Sequence, residues 1–382
     1  MKFNNKKVIL LSSLVVSSQA FAVNVFKNDT TSVDISGAFL MDYWQPVQFF
    51  DDHDFNTSRS TLGFGIAHQF GNGWSGDVKF EWDNLTSAPT EGVSGSGDQF
   101  RTRLGYFSVH HEEYGSLRFG KQYSAYHDVA GYMDNLIVFD PDATPIFSDT
   151  KDGGFMGTAR GDDLVTYRNS FENLNISAQY GFEENGPGSL TAPSGDNADP
   201  DNKIARTSNY AFAASYDFDF GLSIGATHLV NKVETTEGTP LLNLDPSDEQ
   251  KLTTLAVKYS YEAFKVTAAY TDGTKAHETD YLGYGFDVPG KKNNYADATG
   301  MDIYAEYYFA IGLRPYVYLS NVDFDGDTAD TKGERSIYSM GLSYHAAPNF
   351  IISGEVRKVE EEALGAGDQD DTISGVTVIY AF

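Results

Sequence analysis

Hydrophobic and polar residues alternate along most of this chain with a period of two, the spacing of a β-strand whose successive side chains face opposite ways. Trp74, Gly76, Val78, Phe80 and Trp82 fall on one face of such a run, and Asp77, Lys79, Glu81 and Asp83 fall on the other. Phe264, Val266, Ala268 and Tyr270 oppose Lys265, Thr267 and Thr271 in the same way. The pattern predicts about sixteen strands, over residues 32–45, 58–70, 74–85, 99–111, 115–124, 160–170, 174–184, 206–217, 222–234, 250–261, 264–273, 299–309, 312–323, 333–345, 349–359 and 371–382. The connections alternate in length. Gly71-Asn72-Gly73, Glu262-Ala263 and Ala310-Ile311 are tight, whereas 46–57, 86–98, 125–159, 185–205, 235–249, 274–298, 324–332 and 360–370 are long, so one rim of the sheet is short and the other extended.

Alternation alone fits a soluble β-sandwich as well as a membrane barrel, because both carry one apolar and one polar face per strand. Three features favour the barrel. The runs approach the 9–11 residues of a tilted bilayer crossing, where globular strands average about 5–6. Aromatic residues gather at strand ends, as in Tyr43-Trp44, Tyr307-Tyr308-Phe309 and Tyr380-Ala381-Phe382, where interfacial girdles sit. A closed barrel also pairs every backbone group without leaving an edge. The last strand puts Val376, Val378, Tyr380 and Phe382 on one face and ends on an aromatic residue, although chain termini usually fray into solvent. The expectation is therefore an all-β, sixteen-stranded antiparallel transmembrane barrel, wide enough to enclose an aqueous channel.

The first residues supply a compartment. Lys2, Lys6 and Lys7 precede an apolar stretch from Val8 to Val16, and Ala20-Phe21-Ala22 fits a small-x-small cleavage site. This reads as a secretory signal peptide over residues 1–22, with the barrel domain over 23–382. The chain has no cysteine, which argues against a disulfide-stapled secreted domain. Its formal charge is −27, three units more negative once the leader lysines are gone, so its net field does not seek nucleic acid.

The longest connection, 125–159, is the place to look for function, since a structureless stretch of about 35 residues is uncommon unless functional or disordered. Leu136, Ile137, Val138, Phe139, Ile146, Phe147, Phe155 and Met156 make it apolar enough to pack, and folded inward it would narrow the channel. Its acids Asp134, Asp140, Asp142, Asp149 and Asp152 would then face an opposite wall. Arg101 and Arg103, two apart and so on one strand face, Arg160 at the loop's exit and Arg59 near a strand mouth are candidates for that wall. An acidic loop across from arginines gives a transverse field that orients water and polar solutes. The same arginines would also serve simply to pair with the loop acids and hold the loop.

Gly120-Lys121-Gln122-Tyr123, Tyr126-His127-Asp128, Gly131-Tyr132-Met133-Asp134, Arg160-Gly161 and Thr166-Tyr167-Arg168-Asn169 together resemble the strand-loop-strand core of trimeric general diffusion porins of Gram-negative bacteria, the OmpF/OmpC type. Val33-Asp34-Ile35-Ser36-Gly37 and the terminal Tyr380-Ala381-Phe382 agree, and the resemblance spans residues 23–382. It implies short periplasmic turns, long extracellular loops, an inward third loop and a homotrimer in the outer membrane. It also implies contact with lipid and lipopolysaccharide, delivery by the outer-membrane assembly machinery with Tyr380 and Phe382 as the carboxy-terminal signal, and passive passage of ions and small hydrophilic solutes. By that resemblance Arg103 and Arg160, flanked by Arg101, are constriction arginines and Asp134 is the loop acid. Asp140 stands in for a second carboxylate, because Ile137-Val138-Phe139-Asp140-Pro141 replaces the usual Pro-Glu-Phe-Gly-Gly. Ala38 and Thr61 occupy two familiar basic wall positions, with Arg59 only nearby, so the wall looks less basic and cations are the expected preference. Glu91, in a Thr90-Glu91-Gly92 latch, is expected to pair with Lys121 of a neighbouring subunit.

Other chemistry has weaker support. Asp323, Asp325 and Asp327 only partly match a calcium loop, because Gly326 comes too early and no bidentate Glu follows, so no metal is expected. His127-Asp128 lacks a nucleophile partner, and no phosphate-cradling loop is present, so neither an enzyme nor a cofactor is expected. A porin preferring a sugar or an anion, and a barrel used mainly for adhesion through its outer loops, remain as alternatives.

Overall fold

The computed structural model of the protein describes residues 21–45, 56–57, 59–83, 101–147, 152–183, 204–235, 244, 248–279, 295–327, 331–364 and 368–382. The first strand is short, β1 (Val23–Lys27). The wall strands follow as β2 (Thr31–Gln45), β3 (Thr61–Gly71), β4 (Trp74–Asp83), β5 (Arg101–His111) and β6 (Gly115–Tyr123). After the long loop come β7 (Arg160–Phe171), β8 (Leu174–Gly181), β9 (Ile204–Asp217), β10 (Leu222–Thr235), β11 (Glu249–Tyr261) and β12 (Phe264–Glu278). The chain finishes with β13 (Tyr295–Tyr307), β14 (Leu313–Asp325), β15 (Lys332–Ala347), β16 (Phe350–Glu362) and β17 (Gln369–Ala381).

Strands β2 to β17 each pair antiparallel with the next, and β17 returns to β2 with Ser374 opposite Gln45 and Ala381 opposite Ala38. The sixteen-stranded barrel expected from the alternation is therefore closed. Its tight turns turn the chain through left-handed backbone at Asn72, Glu172 and Glu262. The strand that periodicity did not reveal is β1, whose five residues lie opposite Ser32–Ile35 on the edge of β2 that β17 also uses. It prolongs β17 end to end, and at the junction Phe382 exchanges two 2.9 Å backbone hydrogen bonds with Gly37.

The ambiguity between sandwich and barrel is removed by which face is covered. On β4, Lys79, Glu81 and Asp83 are buried while Phe80 is 42% exposed. The same inversion runs around the molecule, with Lys265, Thr267 and Thr271 inside and Phe212, Leu255, Tyr270, Val317 and Met340 outside. Each large apolar side chain left in water would forfeit about 1.5–3 kcal/mol of burial, so a continuous belt of them needs a hydrocarbon solvent. The leader expected over 1–22 lies almost wholly outside the described residues.

Candidate functional site: the narrowed lumen

The connection after β6 enters the barrel and follows the inner wall. A one-turn helix, α1 (His127–Ala130), and a 3-10 turn at Gly131–Met133 open it. Tyr126 donates or accepts a 2.8 Å hydrogen bond with Thr254 on β11, and Val129 rests over Gly225 of β10, where a Cβ would come within 2.8 Å of its methyl groups. Asn135 is held by Lys265 and Thr267 of β12. The tip then reaches the closure seam. Arg59 donates to the Ile137 carbonyl at 3.2 Å, and Val138 packs at Gly375, whose missing side chain leaves the room.

Beyond the tip, three fully buried arginines of the far wall grip the loop. Arg357 lies 4.9 Å from the Phe139 ring centroid and donates to the Asp140 carbonyl at 2.9 Å while pairing with Glu355. Arg335 bridges Asp142 at 3.2 Å and Glu361 at 2.8 Å. Asp302 accepts the Thr144 backbone N–H at 2.7 Å and the Tyr318 hydroxyl at 2.6 Å. On the return path Arg206 donates to the carbonyls of Gly154 and Phe155, at 3.2 and 3.1 Å. Arg206, Arg335 and Arg357 were not singled out from the sequence. Each sits on the polar face of its strand, which was the available signal, but only the loop's path shows what it holds.

The remaining lumen lies beside the wall that β2 to β7 build. Here the arginines do not stand as a bare ladder. Arg101 pairs with Asp83 at 2.7 Å, and Arg103 with Glu81 at 2.9 Å and Asp83 at 3.8 Å. Arg59 is bound by Asp42, and Arg160 by Asp152. A bulge places Glu81 opposite Leu104 and Trp82 opposite Thr102, leaving Arg103 as the inserted residue. The two-residue spacing therefore does not itself set the common direction of Arg101 and Arg103; the carboxylates of β4 gather both. Lys121 reaches Asp152 at 2.9 Å and Asp162 at 2.8 Å.

The loop acids differ in what they meet. Asp134 ends the 3-10 turn with Oδ2 3.6 Å from His127 Nε2, and Asp140 is buried against the wall. Burial pushes Asp142 up to about 6, since Arg335 only partly offsets it and Asp302 adds to it. Burial also opposes the charge of Asp152, but Arg160 and Lys121, helped by Arg103, hold it well below the usual carboxylate range. Burial pushes the Tyr126 hydroxyl well above its ordinary value. Glu91 and Asp149 lie outside the described residues. Tyr380 points outward and is half exposed, and among the described residues no cluster has the donor set of a metal site.

A closed, lipid-belted barrel with a charged and loop-narrowed lumen is the architecture of an outer-membrane channel. The chain belongs to the Gram-negative porin family, whose model matches residues 11–382. It is 26% identical over 320 residues to outer membrane porin N of Escherichia coli, covering 81% of this chain and 77% of that protein. It is 24% identical to outer membrane protein F of Serratia marcescens over 402 residues, 99% of each chain. The structure of Salmonella typhi OmpF in complex with daunomycin superposes with a TM-score of 0.69 at 17% identity, over 94% of this chain and 99% of that one. An anion-selective porin from Comamonas acidovorans gives 0.63 at 14% identity, covering 92% and 100%. At such identities the two structures share the fold alone. The protein is an outer-membrane porin, a water-filled channel for passive diffusion.

Proposed function

We propose that this porin is a general, cation-preferring diffusion pore, working as a homotrimer after removal of residues 1–22. The observation carrying the preference is the pairing of Arg101 and Arg103 with Glu81 and Asp83 on the same wall. Their positive field is cancelled within one or two strands, so permeating anions gain little from them. No covalent step belongs to this function; Arg59, Arg101, Arg103, Arg160, Asp134 and Asp140 shape the passage and its field.

Trimer contacts are assigned to the apolar outer faces of β2 to β6, which carry Phe39, Leu62, Ile66, Phe80, Phe107 and Phe119. The latch between Glu91 and Lys121 of a neighbouring copy would add a third carboxylate to an ammonium that already holds two, and as a largely exposed pair it would contribute about 0–1 kcal/mol. Reconstitution of the purified protein in a planar bilayer under a KCl gradient tests the reading. Conductance closing in three equal steps, with a reversal potential of cation sign, is the expected result. A folded protein that does not conduct would remove the diffusion function, and an anion-signed potential would remove the preference.

A further inference from the structure

We infer that Arg118 and Tyr106 form a docking point on the channel wall for the carboxylate of a passing solute. The inference rests on the diffusion reading above and adds a substrate class to it. Arg118 on β6 faces inward. It lies opposite Ser108 of β5 and Thr166 of β7, both buried, while its neighbours Leu117 and Phe119 are exposed on the outer face. Its guanidinium carbon lies 4.1 Å from the centroid of the Tyr106 ring, and its Nε donates to Ser108 Oγ at 2.9 Å.

Among the described residues, neither terminal nitrogen of Arg118 meets an acceptor, and the Tyr106 hydroxyl has no partner either. Every other arginine of the chain grips a carboxylate or a backbone carbonyl. Arg118 therefore presents a planar set of N–H donors already held over an aromatic ring, and such a fork can take a carboxylate with two parallel hydrogen bonds.

The point lies off the constriction. Asp77, which pairs with Ser108, is four residues along β4 from Glu81, about 13 Å towards the short turns. Asp77 is engaged by His110, and its Oδ2 lies 3.5 Å from Ser108 Oγ, so a carboxylate sits close to the free guanidinium. That neighbour weakens anion binding, and a channel site has to be weak: a solute must be drawn in and then released. The structure thus gives a cation-preferring pore one place where a small carboxylate is tolerated on its way through.

The test compares succinate with its neutral diamide, succinamide, on the full-length protein in a planar bilayer. Succinate is expected to lower the KCl current in a saturable manner, and succinamide to leave it unchanged. Arg118→Gln should raise the half-saturating succinate concentration roughly tenfold or more, the value of a charge-assisted hydrogen-bonded pair, and Tyr106→Leu should raise it less. Equal saturation in the wild type and Arg118→Gln, or equal action of succinamide, would overturn the inference. Conductance in KCl alone reports the diffusion reading separately. Should the folded protein not conduct, calorimetric titration with succinate still decides: heat lost in Arg118→Gln supports the docking point, and equal heats reject it.

Discussion

Asp142 shows how a single side chain inside this barrel can oppose the arrangement it belongs to. One of its oxygens is held by Arg335, while Oδ2 is buried with no hydrogen-bond partner among the described residues. Asp302, Glu361, Arg357 and His277 are the other titratable groups around that stretch of loop, and the net effect raises Asp142 to about 6. The folded state therefore binds its proton more tightly than the unfolded chain does. Its contribution to loop docking is complete below the ordinary carboxylate value near 3.8 and is lost as pH rises through about 6. Asp152 has the opposite sign, being depressed by Arg160 and Lys121, and its contribution survives well into acid. Amide-hydrogen protection of residues 140–146, corrected for intrinsic exchange, should thus be greater at pH 5 than at pH 7.5. Asp142→Asn should abolish that difference and stabilise the docked loop at pH 7.5 by on the order of 2 kcal/mol. Equal protection of the wild type at both values would show that Asp142 carries no buried-charge penalty.

At the scale of elements, the packing of the long loop depends on where the wall is thin. Val129 of α1 sits over Gly225, and any side chain there meets its methyl groups at 2.8–2.9 Å. Gly225→Val should cost the docked helix about 1–3 kcal/mol through overpacking. The wall is fixed by pairing on both sides of β10, so the helix must move towards the lumen. Lower single-channel conductance with an unaltered barrel melting temperature is expected, and unchanged conductance would mean that α1 does not border the passage. The sequence displayed the wall far better than the loop. Every wall strand was legible because a lipid-facing side chain and a lumen-facing one must alternate, and the observed ends differ from the expected ones by a few residues. The strand β1 was not, because five residues carry too little alternation. The loop has no period at all: its course is written in partners such as Arg206, Arg335 and Arg357, which lie 50 to 220 residues away and announce themselves only as charges on a wet face. Arg101 and Arg103 were found for their charge, but the carboxylates that neutralise them, Glu81 and Asp83, were visible only as polar positions of β4.

For the whole molecule, the decisive junction is the one that turns a sheet into a barrel. Every other neighbouring pair is joined by a loop or turn and is close in sequence, whereas β17 and β2 meet across the length of the chain. Their closure is the step with the largest loop entropy to overcome, and it leaves two edges open to aggregation until it is complete. The seam is finished by Phe382, whose N–H and carbonyl bond to Gly37 and whose ring would clash with any side chain at that position. Two interactions are thus combined in the final residue, and they separate by mutation. Phe382→Ala keeps both backbone bonds and loses the ring contact, while deletion of Phe382 loses all three. If the seam limits folding, refolding into detergent should give a graded loss of the compact, heat-modifiable form on gels, modest for Phe382→Ala and severe for the deletion. The barrels that do form should conduct as the wild type does, because the lumen charges are untouched. Equal yields for the deletion and the full chain would place the barrier to closure elsewhere, and altered conductance in the surviving channels would mean that the seam also sets the position of the loop tip, which rests on Gly375 of the same strand.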